Sequence, residues 1–351
     1  MLNRARKTFV IAFALACAMV GASCSMLHPQ AVSAKPLPLT GVCLSGGEWY
    51  DPTKTPNPVY GTNFVYPTAD EFRYFKSKGM NVCRLCFLWE TIQPKPMQPL
   101  DPKQLAYLED SVHAGTSRHL IVILDPHDYA RYYGKVVGTT DAPNAYFSDF
   151  WRRMAIAFKG DPYVWFGLVN EPHDLPAMQW LSAANDAIAA IRSTGATNKI
   201  TVPGIAWSGA GSWFDTWYGG TPNASFMLGV KDSGNNWIYE IHNYLDSDMS
   251  GSHDTVVSPT IGVERLQKLT QWLRENHKIA ILGETGAANN DPSHQAIENE
   301  IEYLEANSDV WRGWLWWAAG ARWGNYMFSI EPADGQDKPQ MAWLEPHTQP
   351  H

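Results

Sequence analysis

The stretch Val164-Trp-Phe-Gly-Leu-Val-Asn-Glu-Pro172 changes character at one point, where a run of apolar residues and Gly gives way to Asn170 and Glu171. A run this short fits a strand better than a helix, and apolarity without alternation marks a strand covered on both faces, as in a parallel sheet. Working outward, the same pattern recurs at Leu39–Ser45, Val82–Phe87, Leu120–Leu124, Ile200–Ala206, Trp237–His242, Lys278–Leu282 and Arg312–Trp317, which makes eight runs. Between most of them the period turns helical: Ile297, Ile301 and Leu304 share one face, as do Val263, Leu266, Leu269 and Leu273. Thr68 followed by Glu71, and Asp101 followed by Pro102, mark helix starts. The weakest link is 211–230, where Gly and Pro replace a clear helix. Eight strands alternating with helices predict an α/β fold, a (β/α)8 TIM barrel with a single catalytic domain. A doubly wound open sheet is the alternative.

Neither an internal repeat nor a Ser/Thr/Pro-rich linker divides the chain, so the barrel domain is expected over 35–337, after a leader at 1–34. The polar, Pro-containing segment 338–351 reads as a C-terminal tail on the surface. With 351 residues, 45% hydrophobic and only 18% charged, the chain has the material for a large core, and 16 Trp residues make it unusually aromatic. The net charge of −8 disfavours a nucleic-acid or anionic-membrane partner. Removing the leader deepens it, because Arg4, Arg6 and Lys7 are the only charges before Lys35.

Those three basic residues precede the apolar run Phe9–Val20, which ends in Gly21, Ala22 and Ser23: the pattern of a secretory signal peptide. The run is shorter than the roughly 18 residues a membrane-spanning helix needs, and no second such run follows, so no transmembrane segment is expected. Cleavage after Ala22 or Ala34 would release a secreted protein; Cys24, directly after Gly-Ala-Ser, offers lipidation as a bacterial lipoprotein as the minority alternative. Cys43, Cys83 and Cys86 then remain, an odd number that cannot form a disulfide framework. Cys83 and Cys86 have CxxC spacing, but within a strand positions three apart point to opposite faces, which favours buried thiols over a metal or redox site.

Active sites of such barrels lie at the C-terminal ends of the strands. The polar or aromatic residues there are Glu48 with Trp49, Arg84, His127 with Asp128, Asn170 with Glu171, Trp207, His242 with Tyr244, Glu284 and Trp317. A single Glu at a strand end is most simply a solvated loop charge. Two of them, closing the fourth and seventh strands and accompanied by Asn170, His127, His242 and Tyr244, suit two carboxylates flanking a glycosidic bond. One must carry a proton for the leaving oxygen while the other stays ionised. Arg84 beside Glu284 would keep that carboxylate charged and Tyr244 could orient it; Glu171, with no adjacent cation in the sequence, is the better general acid.

Four segments carry a resemblance to a known family: Trp165-Phe-Gly-Leu-Val-Asn-Glu-Pro-His-Asp174, Asp125-Pro-His-Asp-Tyr-Ala-Arg131, Ile241-His-Asn-Tyr-Leu-Asp-Ser-Asp248 and Ala280-Ile-Leu-Gly-Glu-Thr-Gly286. The chain resembles glycoside hydrolase family 5 from about Leu39 to Pro332, and within it the endo-β-1,4-glucanases of the fungal endoglucanase II type and their bacterial relatives. The resemblance implies a retaining hydrolase with Glu171 as acid/base and Glu284 as nucleophile. It places Arg84 and Tyr244 beside the nucleophile, Asn170 on the sugar 2-hydroxyl, His127 and His242 in the site, and Trp317 under the sugar at the point of cleavage. Asp128 departs from the Asn common there, with a subsite contact or a local pKa at stake. The cysteines that form disulfides in fungal members are lacking.

Trp317, then Trp207 and Trp49, are the candidate sugar-stacking platforms, whereas Trp314 and Trp316 suit the core. Neither HExxH nor His-x-His is present, and no Gly-x-Ser-x-Gly elbow, so neither a metal hydrolase nor a serine hydrolase is indicated. The expected protein is a secreted endo-β-1,4-glucanase that needs no cofactor and takes a β-glucan polysaccharide as substrate. The alternatives are a relative acting on mannan or mixed-linkage glucan, and a non-catalytic carbohydrate-binding protein.

Overall fold

The computed structural model describes residues 35–218 and 220–349, so the expected leader lies outside the described residues. In chain order the strands are β1 (Leu39–Gly47), β2 (Val82–Phe87), β3 (Ile121–Pro126), a small antiparallel hairpin of β4 (Arg131–Tyr132) and β5 (Lys135–Val136), then β6 (Val164–Gly167), β7 (Ile200–Pro203), β8 (Trp237–His242), β9 (Ala280–Thr285) and β10 (Trp311–Ala319). Leaving the hairpin aside, eight strands pair in parallel with their chain neighbours, and β1 pairs with both β2 and β10, which closes the cylinder. Closure excludes the open doubly wound alternative.

Side chains alternate as a pleated strand requires. Outward residues such as Val42, Leu44, Leu85, Val122, Leu124, Val202, Leu282 and Trp316 join the core under the helices. Inward residues Cys43, Val82, Ile123, Trp165, Ile238, Ile281 and Leu315 fill the barrel. Further toward the C-terminal ends the inward positions turn polar, at Arg84, Asp125, Thr201 and Glu240, all fully buried. Trp314 and Trp316 are completely buried, as expected of core residues. Cys43, Cys83 and Cys86 are free, buried thiols.

Local signals set the helices. The side chain of Thr68 accepts from the Glu71 N–H and the Glu71 carboxylate accepts from the Thr68 N–H, a capping box that opens helix Ala69–Ser77. Asp101 caps Pro102–Thr116. Leu266, Leu269 and Leu273 of Ile261–Glu275 and Ile297, Ile301 and Leu304 of Asp291–Ala306 are buried against the barrel. Between β7 and β8, where Gly and Pro interrupt the pattern, the chain makes one helical turn at Asn223–Phe226 and a 3-10 turn at Met227–Gly229. Among the described residues no helix is long and apolar enough to cross a membrane.

The segment after Asp337 is not the surface extension expected from its composition. Met341 and Leu344 are completely buried and Trp343 nearly so. His294 of the last long helix stacks on Trp343 at 4.7 Å, His347 pairs with Glu305 of the same helix, and Lys78, at the end of the first helix, bridges to Glu345. Gln340 donates to the carbonyls of Ala287 and Met327 at one end, and Gln349 donates to those of Gly79 and Leu37 at the other. Residues 340–349 thus run along the outside of the barrel between the first helix and the last long one; three buried apolar residues are too few to set up a period that would reveal this. Leu344→Ala should therefore lower the free energy of unfolding by about 2–5 kcal/mol, read by urea denaturation; a change within about 0.5 kcal/mol would mean that the segment only drapes over the surface.

Candidate active site

Arg84 on β2 has no exposed surface and is surrounded by acceptors from the neighbouring strands. Its Nη1 reaches Glu284 Oε1 at 2.7 Å, and its Nη2 reaches Asn170 Oδ1 at 2.6 Å, Glu240 Oε1 at 2.9 Å and Asp125 Oδ1 at 3.2 Å. Burial opposes the charge, but Asp125, Glu240 and Glu284 more than offset it and raise the pKa of the guanidinium. Burial likewise pushes Glu240 up, yet Arg84, His242 and Thr201 hold its carboxyl down at about 2.

One branch of this network orients a ring of hydrogen bonds. Because Asn170 Oδ1 accepts from Arg84, its Nδ2 must face His127 Nε2, 3.0 Å away, and donate to it. His127 Nδ1 then carries the hydrogen it shares with Asp125 Oδ2 at 2.8 Å. Burial lowers the pKa of His127 and Asp125 more than reverses this, a net rise; protonating Nε2 nonetheless means giving up the bond from Asn170. This geometry keeps the imidazole neutral while the ring of bonds is intact.

The second branch holds the two glutamates. Glu284 Oε2 accepts from the Tyr244 hydroxyl at 2.7 Å while its other oxygen is held by Arg84. His242 Nδ1 lies 2.6 Å from Glu171 Oε1 and 3.5 Å from Glu284 Oε2, and its Nε2 lies 3.4 Å from Glu240. An oxygen of Glu171, an oxygen of Glu284 and a nitrogen of His242 all fall within 4.8 Å of one another. Burial lowers the basicity of His242, but Glu284, Glu171 and Glu240 together raise its pKa to about 10. Glu171 therefore does have a cationic neighbour, two strands away in sequence but adjacent in space. Burial and Glu171 raise the Glu284 carboxyl, against the pull of His242 and Arg84. Glu171 itself has a left-handed backbone with φ of 41°, costing about 1–2 kcal/mol, just after the strand that presents it.

Around these groups lies a cleft of about 510 Å³ whose lining includes Glu171, His242, Tyr244, Trp207 and Trp217. Trp207 is 41% exposed and stacks in parallel on His173 at 4.8 Å. Trp317 stacks on His127 at 5.2 Å and meets Trp323 edge-on at 5.8 Å; Trp323 in turn meets Trp49 at 4.8 Å and stacks on Tyr326 at 4.3 Å. Trp49 follows β1 and Trp207 follows β7, strands diametrically opposite in the barrel order. The aromatic surfaces therefore flank the carboxylates from both sides.

A family model described as cellulase (glycosyl hydrolase family 5) matches residues 34–320. The chain belongs to this family. It is 41% identical to a probable endo-β-1,4-glucanase B of Neosartorya fischeri over 278 residues, 79% of this chain and 81% of the relative. An endo-β-1,4-glucanase from Xanthomonas axonopodis pv. citri has the same fold, with a TM-score of 0.86 and 47% identity over 89% of this chain and 98% of that one. XacCel5A, solved in complex with cellopentaose, matches with a TM-score of 0.86 and 47% identity, covering 89% of this chain and 99% of that one. The protein is thus a glycoside hydrolase of family 5 on a (β/α)8 barrel.

In this family 5 member Glu171, Glu284, Arg84, His127, Asn170, His242, Tyr244, Trp317, Trp207 and Trp49 all stand toward the C-terminal end of the barrel. Asp128 does not join them. It is buried, accepts from the Trp89 N–H at 2.8 Å and lies against Glu90; burial and Glu90 push its carboxyl well up. Glu240 and Asp125 are the charged members that the sequence reading left out of the site. Both were visible in principle, because each stands two residues before a site histidine and therefore on the same inward face of its strand.

Among the described residues three groups bring metal-type donors together: Cys86, Asp125 and His127; Glu171, His242 and Glu284; and Asp246, Asp248 and His253. The His127 and His242 nitrogens are already engaged as above, and Asp246 accepts from Gly251 N, Ser252 N and His253 Nδ1 of its own loop. These donors organise the protein itself.

His242 titrates higher in the fold than its ordinary 6.5, so it stabilises the fold fully below pH 6.5 and that contribution is lost as pH rises toward 10. The difference in urea midpoint between the wild type and His242→Gln should shrink across that window. In Glu240→Gln, which removes one stabilising carboxylate, the ring should titrate below its wild-type value by NMR; an unchanged titration would leave Glu171 and Glu284 as the only groups that matter.

Proposed function

We propose that this protein is a secreted endo-β-1,4-glucanase that cleaves internal bonds of cellulose-like chains with net retention, Glu171 serving as acid/base and Glu284 as nucleophile. One observation carries the mechanism: oxygens of the two glutamates lie within 4.8 Å of each other at the cleft, with Glu284 fixed by Arg84 and Tyr244. Retaining glycosidases hold their carboxyl groups about 5–5.5 Å apart, whereas inverting ones leave about 6.5–9.5 Å for a water. The names of the similar proteins and the cellopentaose complex support a β-1,4-glucan substrate. Aromatic platforms on both sides of the carboxylates suit a chain that runs through the cleft.

In the first step Glu284 Oε2 attacks the anomeric carbon while a proton moves from Glu171 to the departing oxygen. The short Glu171–His242 contact is the source of that proton: His242 passes it to Glu171 as charge leaves Glu284 and Glu171 hands it on, so the step ends with His242 neutral and Glu171 ionised. Bonding of Glu284 to the sugar removes a negative charge from the centre of the network. Glu171, now ionised, takes a proton from water, whose oxygen displaces Glu284. Asn170, held by Arg84 and His127, is placed to bond a sugar hydroxyl, and Trp317 to support the ring.

Incubation with carboxymethyl-cellulose, mixed-linkage glucan, mannan and xylan should release new reducing ends from carboxymethyl-cellulose, and Glu284→Gln should lose at least about a thousandfold in rate. Release from mannan alone would change the substrate, and initial formation of the inverted anomer by NMR would overturn retention. Because burial raises the Glu284 carboxyl, the acid limb of kcat/KM should lie above the ordinary carboxylate value of 4.5, activity falling as Glu284 gains a proton. The alkaline limb reports loss of the His242 proton, so a profile flat on both sides would exclude this acid–base pair.

A further inference from the structure

Where β8 and β9 meet, their partners run Glu240↔Ile281 and Ile241↔Leu282, and then His242↔Glu284. Gly283 has no counterpart, so β9 carries one extra residue. The consequence is a change of phase: with Ile281 inside the barrel and Leu282 facing the helices, strict alternation would turn Glu284 outward. After the bulge Glu284 faces Arg84 and Tyr244, and Thr285 faces the helices instead. Gly283 also has to be small here, because a Cβ there would stand 2.5 Å from Glu240 Cγ.

Behind this bulge lies Glu300, on helix Asp291–Ala306 and fully buried. Its Oε1 accepts from Asn243 Nδ2 at 2.6 Å and its Oε2 accepts from Thr285 Oγ1 at 2.7 Å. Asn243 directly follows His242, and Thr285 directly follows Glu284. The Asn243 N–H also donates to the Glu284 carbonyl at 3.0 Å, so the two strand ends and the helix form one hydrogen-bonded unit. Close approach is allowed by Gly262, whose added Cβ would lie 3.0 Å from Glu300 Cβ. Burial pushes the Glu300 carboxyl up to about 7 against Thr285, Asn243 and Arg265. Packing alone does not call for such a group, since Ile297, Ile301 and Leu304 already bury that helix.

We propose that Glu300 is a positioning residue for hydrolysis: by tying Asn243 to Thr285 on the outer side of the β9 bulge, it holds the phase that turns Glu284 and His242 into the cleft. This rests on Glu284 acting as the nucleophile. Glu300 touches no substrate and acts through the two strand ends. Its amide analogue keeps both ties, because Oε1 of a glutamine accepts from Asn243 while its Nε2 donates to the Thr285 hydroxyl. An aliphatic side chain keeps neither.

The test compares kcat and KM on carboxymethyl-cellulose for wild type, Glu300→Gln, Glu300→Leu, Thr285→Val and Glu284→Gln, with folding checked by circular dichroism. Glu300→Gln should stay near wild type. Glu300→Leu should lose roughly 10- to 100-fold in kcat at a nearly constant KM, the scale of a misplacement of about 1 Å, and Thr285→Val should lose activity in the same sense. Folded Glu300→Leu or Thr285→Val with wild-type kcat would overturn the proposal, as would a Glu300→Gln enzyme as impaired as the Leu variant. If Glu300→Leu does not fold, Thr285→Val and Glu300→Gln decide between them. An inactive wild type or a fully active Glu284→Gln instead removes the nucleophile assignment beneath the proposal, an outcome distinct from failure of the tie.

Discussion

Arg84 is a cation with no access to water, and a buried charge of that kind persists only where counter-charges and hydrogen bonds surround it. Its acceptors come from β3, β8, β9 and the loop after β6, so the strands must close into a ring before the charge can be satisfied. Closure and catalytic geometry are therefore one requirement. Removing a partner from such a cluster typically costs about 3–5 kcal/mol, because the remaining charge stays buried. The inward layer of Arg84, Asp125, Thr201 and Glu240 gives up apolar packing at this level of the barrel in exchange for a buried cluster of ion pairs and hydrogen bonds.

From this centre the orientation of each reacting group follows. Arg84 fixes Asn170, Asn170 sets the tautomer of His127, and Asp125 completes the ring. On the other side Arg84 and Tyr244 grip both oxygens of Glu284, while Glu240, Glu171 and Glu284 keep His242 charged. The two glutamates differ in their surroundings even though they are close. Glu284 is buried and clamped between Arg84 and Tyr244, and Glu171 lines the cleft on a strained backbone with a proton-bearing neighbour. That asymmetry suits the proposed division of roles, in which one attacks while the other handles protons.

Much of this was legible without coordinates, and the reason is local. A capping box at Thr68 and Glu71, or an apolar run ending in Asn170 and Glu171, is written within a few residues of chain and needs no distant partner to be read. The site residues were legible because the strand ends of a barrel all open onto one face. Glu240 was passed over because a carboxylate inside an apolar strand reads as an exception until Arg84 is known to face it, although its place two residues before His242 puts it on the same inward face. The segment 340–349 stayed hidden because its three buried apolar residues are too few to set up a period, and only the gap between the first and last helices gives them a place. Asp128 was legible as a departure, but its burial against Glu90, away from the cleft, was not.

The sequence by itself determined the number and order of the eight barrel strands, most of the helices between them and most of the residues that gather at the cleft, because pattern, capping and alternation are properties of neighbours along the chain. Only the tertiary structure decided which charges pair, which nitrogen of His127 carries its proton, that His242 stands against Glu171, and that an unmatched Gly283 turns Glu284 inward. Those outcomes depend on distances between strands that are far apart in sequence, and on desolvation that exists only once the barrel has closed.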